Sequence, residues 1–399
     1  MVTSSQMFGF MIGSVLGGTM SDRLGRRPVY LSSIFLQASS SIAVSLTHNL
    51  FVIYIFMFLC GIGMIIRGMV GMVILNEVVP NAHRKNVGIL AVISESLSGV
   101  LISLLAWLLP NWRWMVGSIS AALFLIFIPI AMFVGESSKW LLQMKNQKKA
   151  KKLNQNDAKI CKDESDTSCE CEEINVSPEE TSKQQKVAKY TYLDIVKVDF
   201  IRRRICILSF AWFAADMAFY GLTFNTNNLG GNRYINSFLS GAVEFPAQFV
   251  CFMVVRRIGC RRSFIVSTII TSMCLALTPL LHEVNEWAGV VSAMLGKLVI
   301  TVGYTILFIF TGDLFPTMMR TQSYGACSFM ARFGSILVPY ILFLGKTVHS
   351  SLPYVIMSAI SLLSAIAMVF LPETMGLPIP DTLEDARSHK RYCVAAVFK

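Results

Sequence analysis

Eleven apolar runs of about twenty residues dominate this chain, and few folds can accommodate so many. They lie at about 2–20, 29–47, 50–75, 87–109, 114–134, 204–225, 235–255, 263–281, 287–312, 322–345 and 351–371. A hydrocarbon core about 30 Å thick takes about 20 helical residues to cross. Inside it, each backbone polar group must be paired within its own segment or in a closed barrel, and long runs without two-residue alternation mean helices. An all-α membrane protein is expected. Composition agrees: of 399 residues, 54% are hydrophobic and 15% charged, against about 45–50% and about 25% in globular chains. That excludes a disordered protein and argues against an ordinary cytosolic enzyme. Lys and Arg exceed Asp and Glu by 35 − 24 = 11, but they fall in short clusters between apolar runs, as in cytoplasmic membrane loops. No nucleic-acid partner is expected; the lipid bilayer is.

Cation placement predicts orientation, because short loops rich in Lys and Arg stay on the cytoplasmic side. One set of short loops holds Arg23, Arg26, Arg27, Arg84, Lys85, Arg256, Arg257, Arg261, Arg262 and Arg320. The other holds Arg113, Arg233 and Lys346. This places residue 1 outside and the tail inside. The long charged connection, 135–203, is expected to be cytoplasmic and divides the chain into an N-terminal bundle (1–134) and a C-terminal bundle (204–371), followed by a cytoplasmic tail (372–399). The first run has no basic n-region and reads as a true span, not a cleavable signal peptide. The ten cysteines fall in spans or cytoplasmic segments, so no disulfide framework is expected. Cys161, Cys169 and Cys171 read as free thiols, lacking a fourth-ligand pattern for a metal. The sequon Asn175-Val176-Ser177 lies in the cytoplasmic connection and should go unused.

Three features recur at nearly one offset. Arg23-Leu24-Gly25-Arg26-Arg27 returns as Arg257-Ile258-Gly259-Cys260-Arg261-Arg262. Glu77, Pro80 and Arg84 return as Asp313, Pro316 and Arg320. Gly135-Glu136-Ser137 is echoed by Pro372-Glu373-Thr374. The shifts of about 234 to 237 residues indicate two related halves. A counterpart of the span at 204–225 would lie upstream of Met1, so five helices are expected in the first half and six in the second, eleven of a usual twelve. Two pseudo-symmetric six-helix repeats resemble the major facilitator superfamily, with substrate bound between the halves near the midplane.

Several motifs narrow the resemblance. Ser21-Asp22-Arg23-Leu24-Gly25-Arg26-Arg27 resembles the superfamily signature after its second helix. Tyr220-Gly221-Leu222, Asn225 to Asn232, and Glu244-Phe245-Pro246 resemble helices 7 and 8 of the organic cation, organic anion and carnitine transporters, solute carrier family 22. Trp112-Arg113-Trp114, Asp313-Leu314-Phe315-Pro316-Thr317, Leu371-Pro372-Glu373-Thr374 and Pro380 to Asp385 match too. The resemblance covers nearly the whole chain from the family's second helix onward. It implies a secondary carrier of small organic ions, in the plasma membrane, with no cofactor and no catalytic or metal site; it names no coupling ion. Where the family has Pro-Glu-Ser-Pro-Arg-Trp-Leu, this chain reads Gly135-Glu136-Ser137-Ser138-Lys139-Trp140-Leu141, losing both prolines.

Six charges stand out inside spans, namely Arg67, Glu95, Asp216, Glu244, Lys297 and Arg332, and intramembrane charges mark functional sites by default. The alternative is that they pair and hold helices in register. Arg332 matches an eleventh-helix Arg that the resemblance assigns to anion and carnitine members, where cation members carry an acid. Its planar guanidinium suits a carboxylate. Gln248 stands where some anion members have Lys, and with the acids Glu95, Asp216 and Glu244 it favours a zwitterion or mixed repertoire over a strict dianion. Trp212, Phe213, Tyr220, Phe224, Tyr304 and Phe308 are candidates for an amphiphilic pocket, with helix packing as the alternative.

Substrate candidates are thus Arg332, Glu244, Gln248, Tyr220, Trp212, Asp216, Tyr304, Lys297 and Arg67. Candidates for a conformational latch are Asp22, Arg23, Arg26, Arg27, Glu77, Arg84, Glu136, Arg257, Arg261, Asp313 and Arg320. Gly9, Gly13 and Gly17 form a small-residue ridge for close helix approach. No hydrolytic, redox or Walker-type pattern competes. Alternating access for organic anions or zwitterions, slightly ahead of cations, is the reading; a truncated, non-transporting member of the same family is the alternative.

Overall fold

A computed structural model describes residues 2–79, 84–136, 199–225, 232–315 and 320–375, with backbone alone at 22–23, 76–77, 84–92, 95 and 320–322. Most of the 135–203 connection, with its cysteines and sequon, lies outside the described residues, as does the tail from 376. Twelve helices follow in order among the described residues: α1 Val2–Leu24, α2 Arg26–Leu46, α3 Leu50–Val78, α4 Arg84–Leu108, α5 Trp112–Phe133, α6 Asp199–Phe224, α7 Arg233–Ala242, α8 Glu244–Ile258, α9 Cys260–Val284, α10 Glu286–Leu314, α11 Arg320–Thr347 and α12 Leu352–Met368. Eight helical stretches are long and apolar enough to cross a membrane, with Ser96–Leu108 and Leu352–Met368 apolar but shorter.

Two expectations are adjusted. The sixth run begins as helix at Asp199, five residues before the apolar stretch, with Arg202 paired to Asp199 at 2.7 Å in the first turn. The seventh is two helices meeting at Val243. Pro246 explains the break, because it has no N–H for the carbonyl four residues back, at Ala242. Together α7 and α8 make one apolar crossing, Arg233–Ile258.

Capping differs between the two ends of the bundle. At the end away from the arginine clusters, Asn49, Asn111, Asn232 and Asn285 each accept a hydrogen bond from the backbone N–H two residues on, starting α3, α5, α7 and α10. A side-chain oxygen there satisfies one of the orphan amides of a helix start. At the basic end α2 and α9 begin after Gly25 and Gly259, whose φ values of 108° and 91° favour glycine. Their first amides are capped from far along the chain. Glu136 accepts from Arg26 and Arg27 N–H at 2.8 and 3.1 Å. Glu373 accepts from Arg261 and Arg262 N–H, each at 3.2 Å. The sequence repeat is therefore one structural device used twice, a carboxylate from the end of each half on the positive end of a helix.

The first bundle packs α3 between α1 and α2, with α5 on α2. Gly9 and Gly13 bring α1 against the α3 backbone at Phe58, Gly61 and Ile62, so this ridge serves packing. In the second bundle α9 packs on α10 and α12, while α6 lies against α10, α11 and α12. Between bundles, α1 meets α11 and α4 meets α7. The α4–α7 contact lies in the half of each helix away from the arginine clusters, where Ser103 and Ser237 hydroxyls are 2.9 Å apart. A Cβ on Gly241 would sit 2.9 Å from the Gly99 carbonyl carbon, so the two helices touch through backbone.

Candidate functional site

Asp216 lies on α6 with Trp212 four residues before it and Phe219, Tyr220 and Thr223 three, four and seven after. That spacing puts all five on one helical face. Lys297, Thr301, Tyr304, Thr305 and Phe308 make the corresponding stripe on α10, and Glu244 and Gln248, four apart, share a face of α8. Arg332 reaches the same region from α11. The sequence supplied these faces, and the fold turns them toward one another.

Two ion pairs form there. Arg332 Nη1 stands 3.7 Å from Asp216 Oδ1. The Tyr304 hydroxyl donates to the same oxygen at 3.2 Å, and Arg332 Nη1 donates to the Tyr220 hydroxyl at 3.4 Å. Asp216 is fully buried and its Oδ2 has no hydrogen-bond partner; Arg332 Nε has none either. The Arg332 guanidinium also sits 5.5 Å from the ring centre of Phe10, on α1 of the other bundle. The second pair is tighter: Lys297 Nζ is 3.2 Å from Glu244 Oε1, donates to the Thr223 hydroxyl, and lies 3.3 Å from the Phe219 ring centre. Lys297 is 1% exposed. These contacts satisfy a buried ammonium as it must be satisfied in a low-dielectric interior, and the ring face adds a cation–π attraction.

An aromatic lattice surrounds the pairs. Phe219 stacks on Tyr304 at 5.6 Å, Tyr220 meets Phe219 and Phe224 at 5.4 and 5.5 Å, and Trp212 meets Tyr304 and Phe308 at 5.6 and 4.5 Å. Trp212 is buried and donates from Nε1 to Thr311 at 3.1 Å, so it supports the site from the core. Gln248 accepts from the Thr305 hydroxyl at 3.2 Å. Thr223, Thr305, Phe219 and Phe10 are participants that motif reading missed. Thr223 and Phe219 were within reach through the α6 spacing, whereas Phe10 carries no signal, since only the meeting of α1 and α11 brings it in.

Of the six charges in spans, four therefore pair within the second bundle. Asp216 faces Arg332 and Tyr304, and Arg67 donates from Nε to Gln37 Oε1 on α2 at 2.8 Å. That bond ties α3 to α2, and the structure does not bring Arg67 into the Arg332 group. The side chain of Glu95 lies outside the described residues.

Among the latch candidates, Arg26, Arg27 and Glu136 join α2 to the end of α5, where Arg27 also donates to the Ala131 carbonyl at 2.8 Å. Arg261 does the same for α9, donating to the Leu371 carbonyl at 2.7 Å. In this conformation each of these bonds stays within its own bundle. Arg257 is exposed and Asp313 half-buried at the end of α10. The side chains of Asp22, Arg23, Glu77, Arg84 and Arg320 lie outside the described residues.

Residues 1–384 match the family model for sugar (and other) transporters. The organic cation transporter protein of Drosophila melanogaster is 32% identical over 387 residues, covering 96% of this chain and 70% of that protein. Solute carrier family 22 member 3 of Mus musculus is 32% identical over 377 residues, 94% of this chain and 67% of that protein. Among solved structures, the inward open conformation of the xylose transporter XylE from E. coli superposes with a TM-score of 0.70 at 16% identity, covering 96% of this chain and 87% of that one. That likeness bears on the fold alone. A multi-pass membrane chain of this kind is a transporter rather than an enzyme, moving small molecules by alternating access between two bundles, and it belongs to the solute carrier family 22 organic ion transporters of the major facilitator superfamily.

Proposed function

We propose that the chain carries small organic anions or zwitterions, ahead of simple cations, with Arg332 receiving the substrate carboxylate. The observation that carries this reading is the position of Arg332. Arg332 also meets the other bundle, through Phe10, and substrate in this superfamily fold binds where the halves face each other. Its ion pair is longer than the 2.7–2.9 Å of a charge-assisted hydrogen bond, and its Nε is unbonded. Those N–H groups suit the two oxygens of a carboxylate. Glu244, by contrast, is already engaged by Lys297 at 3.2 Å. Phe219, Tyr220 and Phe224 supply the apolar wall that an amphiphilic ion needs. Glu244, Gln248, Lys297, Asp216 and Tyr304 shape the polar side of the site, Trp212 braces it, and Arg67 stands apart as a link between α2 and α3.

The test is charge discrimination. Uptake of radiolabelled hippurate and of tetraethylammonium is measured for wild type, Arg332→Ala and Arg332→Lys, normalised to protein in the membrane. Losing a charge-assisted pair worth about 1.5–3 kcal/mol predicts a fall in hippurate uptake of about 10- to 100-fold in Arg332→Ala, with tetraethylammonium changed less than threefold. Equal losses for both probes contradict the carboxylate role.

A further inference from the structure

We propose that Asp216 is a proton-carrying group that couples movement of a carboxylate substrate to movement of one proton. The proposal rests on the reading of Arg332 as the carboxylate's partner. Asp216 is the most buried charge of the site, yet its second carboxylate oxygen has no hydrogen-bond partner. A buried ion pair is tolerated when close geometry and further hydrogen bonds compensate its desolvation. Asp216 has little of either. Arg332 stands at 3.7 Å, and the Tyr304 hydroxyl bonds Oδ1 at 3.2 Å. The groups facing it are Arg332 and Ser335 from α11, Tyr304 from α10 and Tyr220 from α6 itself. The Ser335 hydroxyl, beside Asp216, donates to the Arg332 carbonyl at 3.1 Å. Described residues of α12, which also packs on α6, include no Asp, Glu, Lys, Arg or His. The nearby Lys297 is held by Glu244 and by Thr223, two helical turns along α6.

Charge neutrality then dictates a cycle. With the site empty, Asp216 and Arg332 cancel. A proton from the water on one side bonds to Oδ2, making a neutral carboxylic acid and leaving the guanidinium without its counter-charge. The substrate carboxylate replaces that counter-charge on Arg332. The loaded site is neutral again, carrying one proton and one negative charge together. After the bundles rock, the substrate leaves, the O–H bond breaks, the proton passes to water on the other side, and the Asp216–Arg332 pair closes. A site holding the proton alone is positive and one holding the substrate alone is negative. Each leaves an unbalanced charge in a low-dielectric interior, which is costly. Only the empty and the doubly loaded forms cross readily, and that restriction is the coupling.

The experiment uses the full chain in liposomes at internal pH 7.5, with radiolabelled hippurate as probe and protein-free liposomes as background. Lowering external pH from 7.5 to 6.0 is expected to raise initial hippurate uptake at least threefold and to drive accumulation above the external concentration. A trapped pH dye should report acidification when hippurate is added without a pH gradient. In Asp216→Asn the ratio of uptake at the two pH values should fall to about one, whatever the absolute rate, and Asp216→Glu should restore it. Hippurate uptake by wild type without acidification overturns the coupling while leaving the Arg332 reading intact. The same holds for a pH ratio unchanged in Asp216→Asn. Hippurate that never enters wild-type liposomes overturns the Arg332 reading and the coupling with it.

Discussion

Glu136 ties α2 to the end of the first bundle as Glu373 ties α9 to the end of the second, but the interiors behind these twin clasps differ. Among the described residues, one continuous apolar core of thirty buried side chains runs through the second bundle, while Val29, Ile66, Val70 and Ile74 form the corresponding cluster of the first. On α6 thirteen residues are buried; on α5 Ser120 alone is. Position explains the contrast, because α6 lies against three neighbours whereas α5 packs mainly on α2. The charges follow the packing. Among the described residues, both buried ion pairs sit in the second bundle, while inside the first Arg67 donates to Gln37.

Breaking the ion pairs should separate the bundles most. Lys297→Ala strands Glu244 and is expected to cost about 3–5 kcal/mol of stability, read as a large drop in melting temperature in detergent. Arg67→Ala, which removes one charge-assisted hydrogen bond, is expected to cost about 1.5–3 kcal/mol. Equal drops would mean that the second bundle's charges are no more deeply committed than the first's. Packing comes next. Leu208→Ala empties a fully buried position on α6 and should cost about 2–5 kcal/mol. Leu125→Ala, on the exposed face of α5 at 71% exposure, should stay within about 0.5 kcal/mol. The clasps are the control on which the bundles should agree: Glu136→Gln and Glu373→Gln each weaken one helix cap by about 1 kcal/mol, and matched losses confirm that the device is used alike in both halves.

The helices were largely legible because membrane crossing imposes a length that apolar runs display directly. Capping was half legible. The repeat marked Gly25 and Gly259, Glu136 and Glu373, but gave no sign that each Glu reaches back more than a hundred residues to a helix start. Pro246 broke its crossing while Pro129, Pro279 and Pro339 stayed inside continuous helices; composition does not distinguish these cases, since neighbouring helices decide whether a freed carbonyl is accommodated. The candidate site residues stood out as intramembrane charges, but the residues they pair with did not. Asp216 and Arg332 are 116 positions apart, and which face of α6 turns toward α11 is set by packing that no local periodicity encodes. Phe10 is the extreme case, an ordinary apolar residue made relevant by a contact between bundles.

If the two bundles move against each other, the contact between α4 and α7 must open for transport. Ser103→Cys with Ser237→Cys places two thiols where hydroxyls now stand 2.9 Å apart. Oxidative cross-linking of this pair is expected to abolish hippurate uptake, with recovery on reduction and no effect of oxidant on either single variant. Undiminished uptake by fully cross-linked protein would contradict the claim.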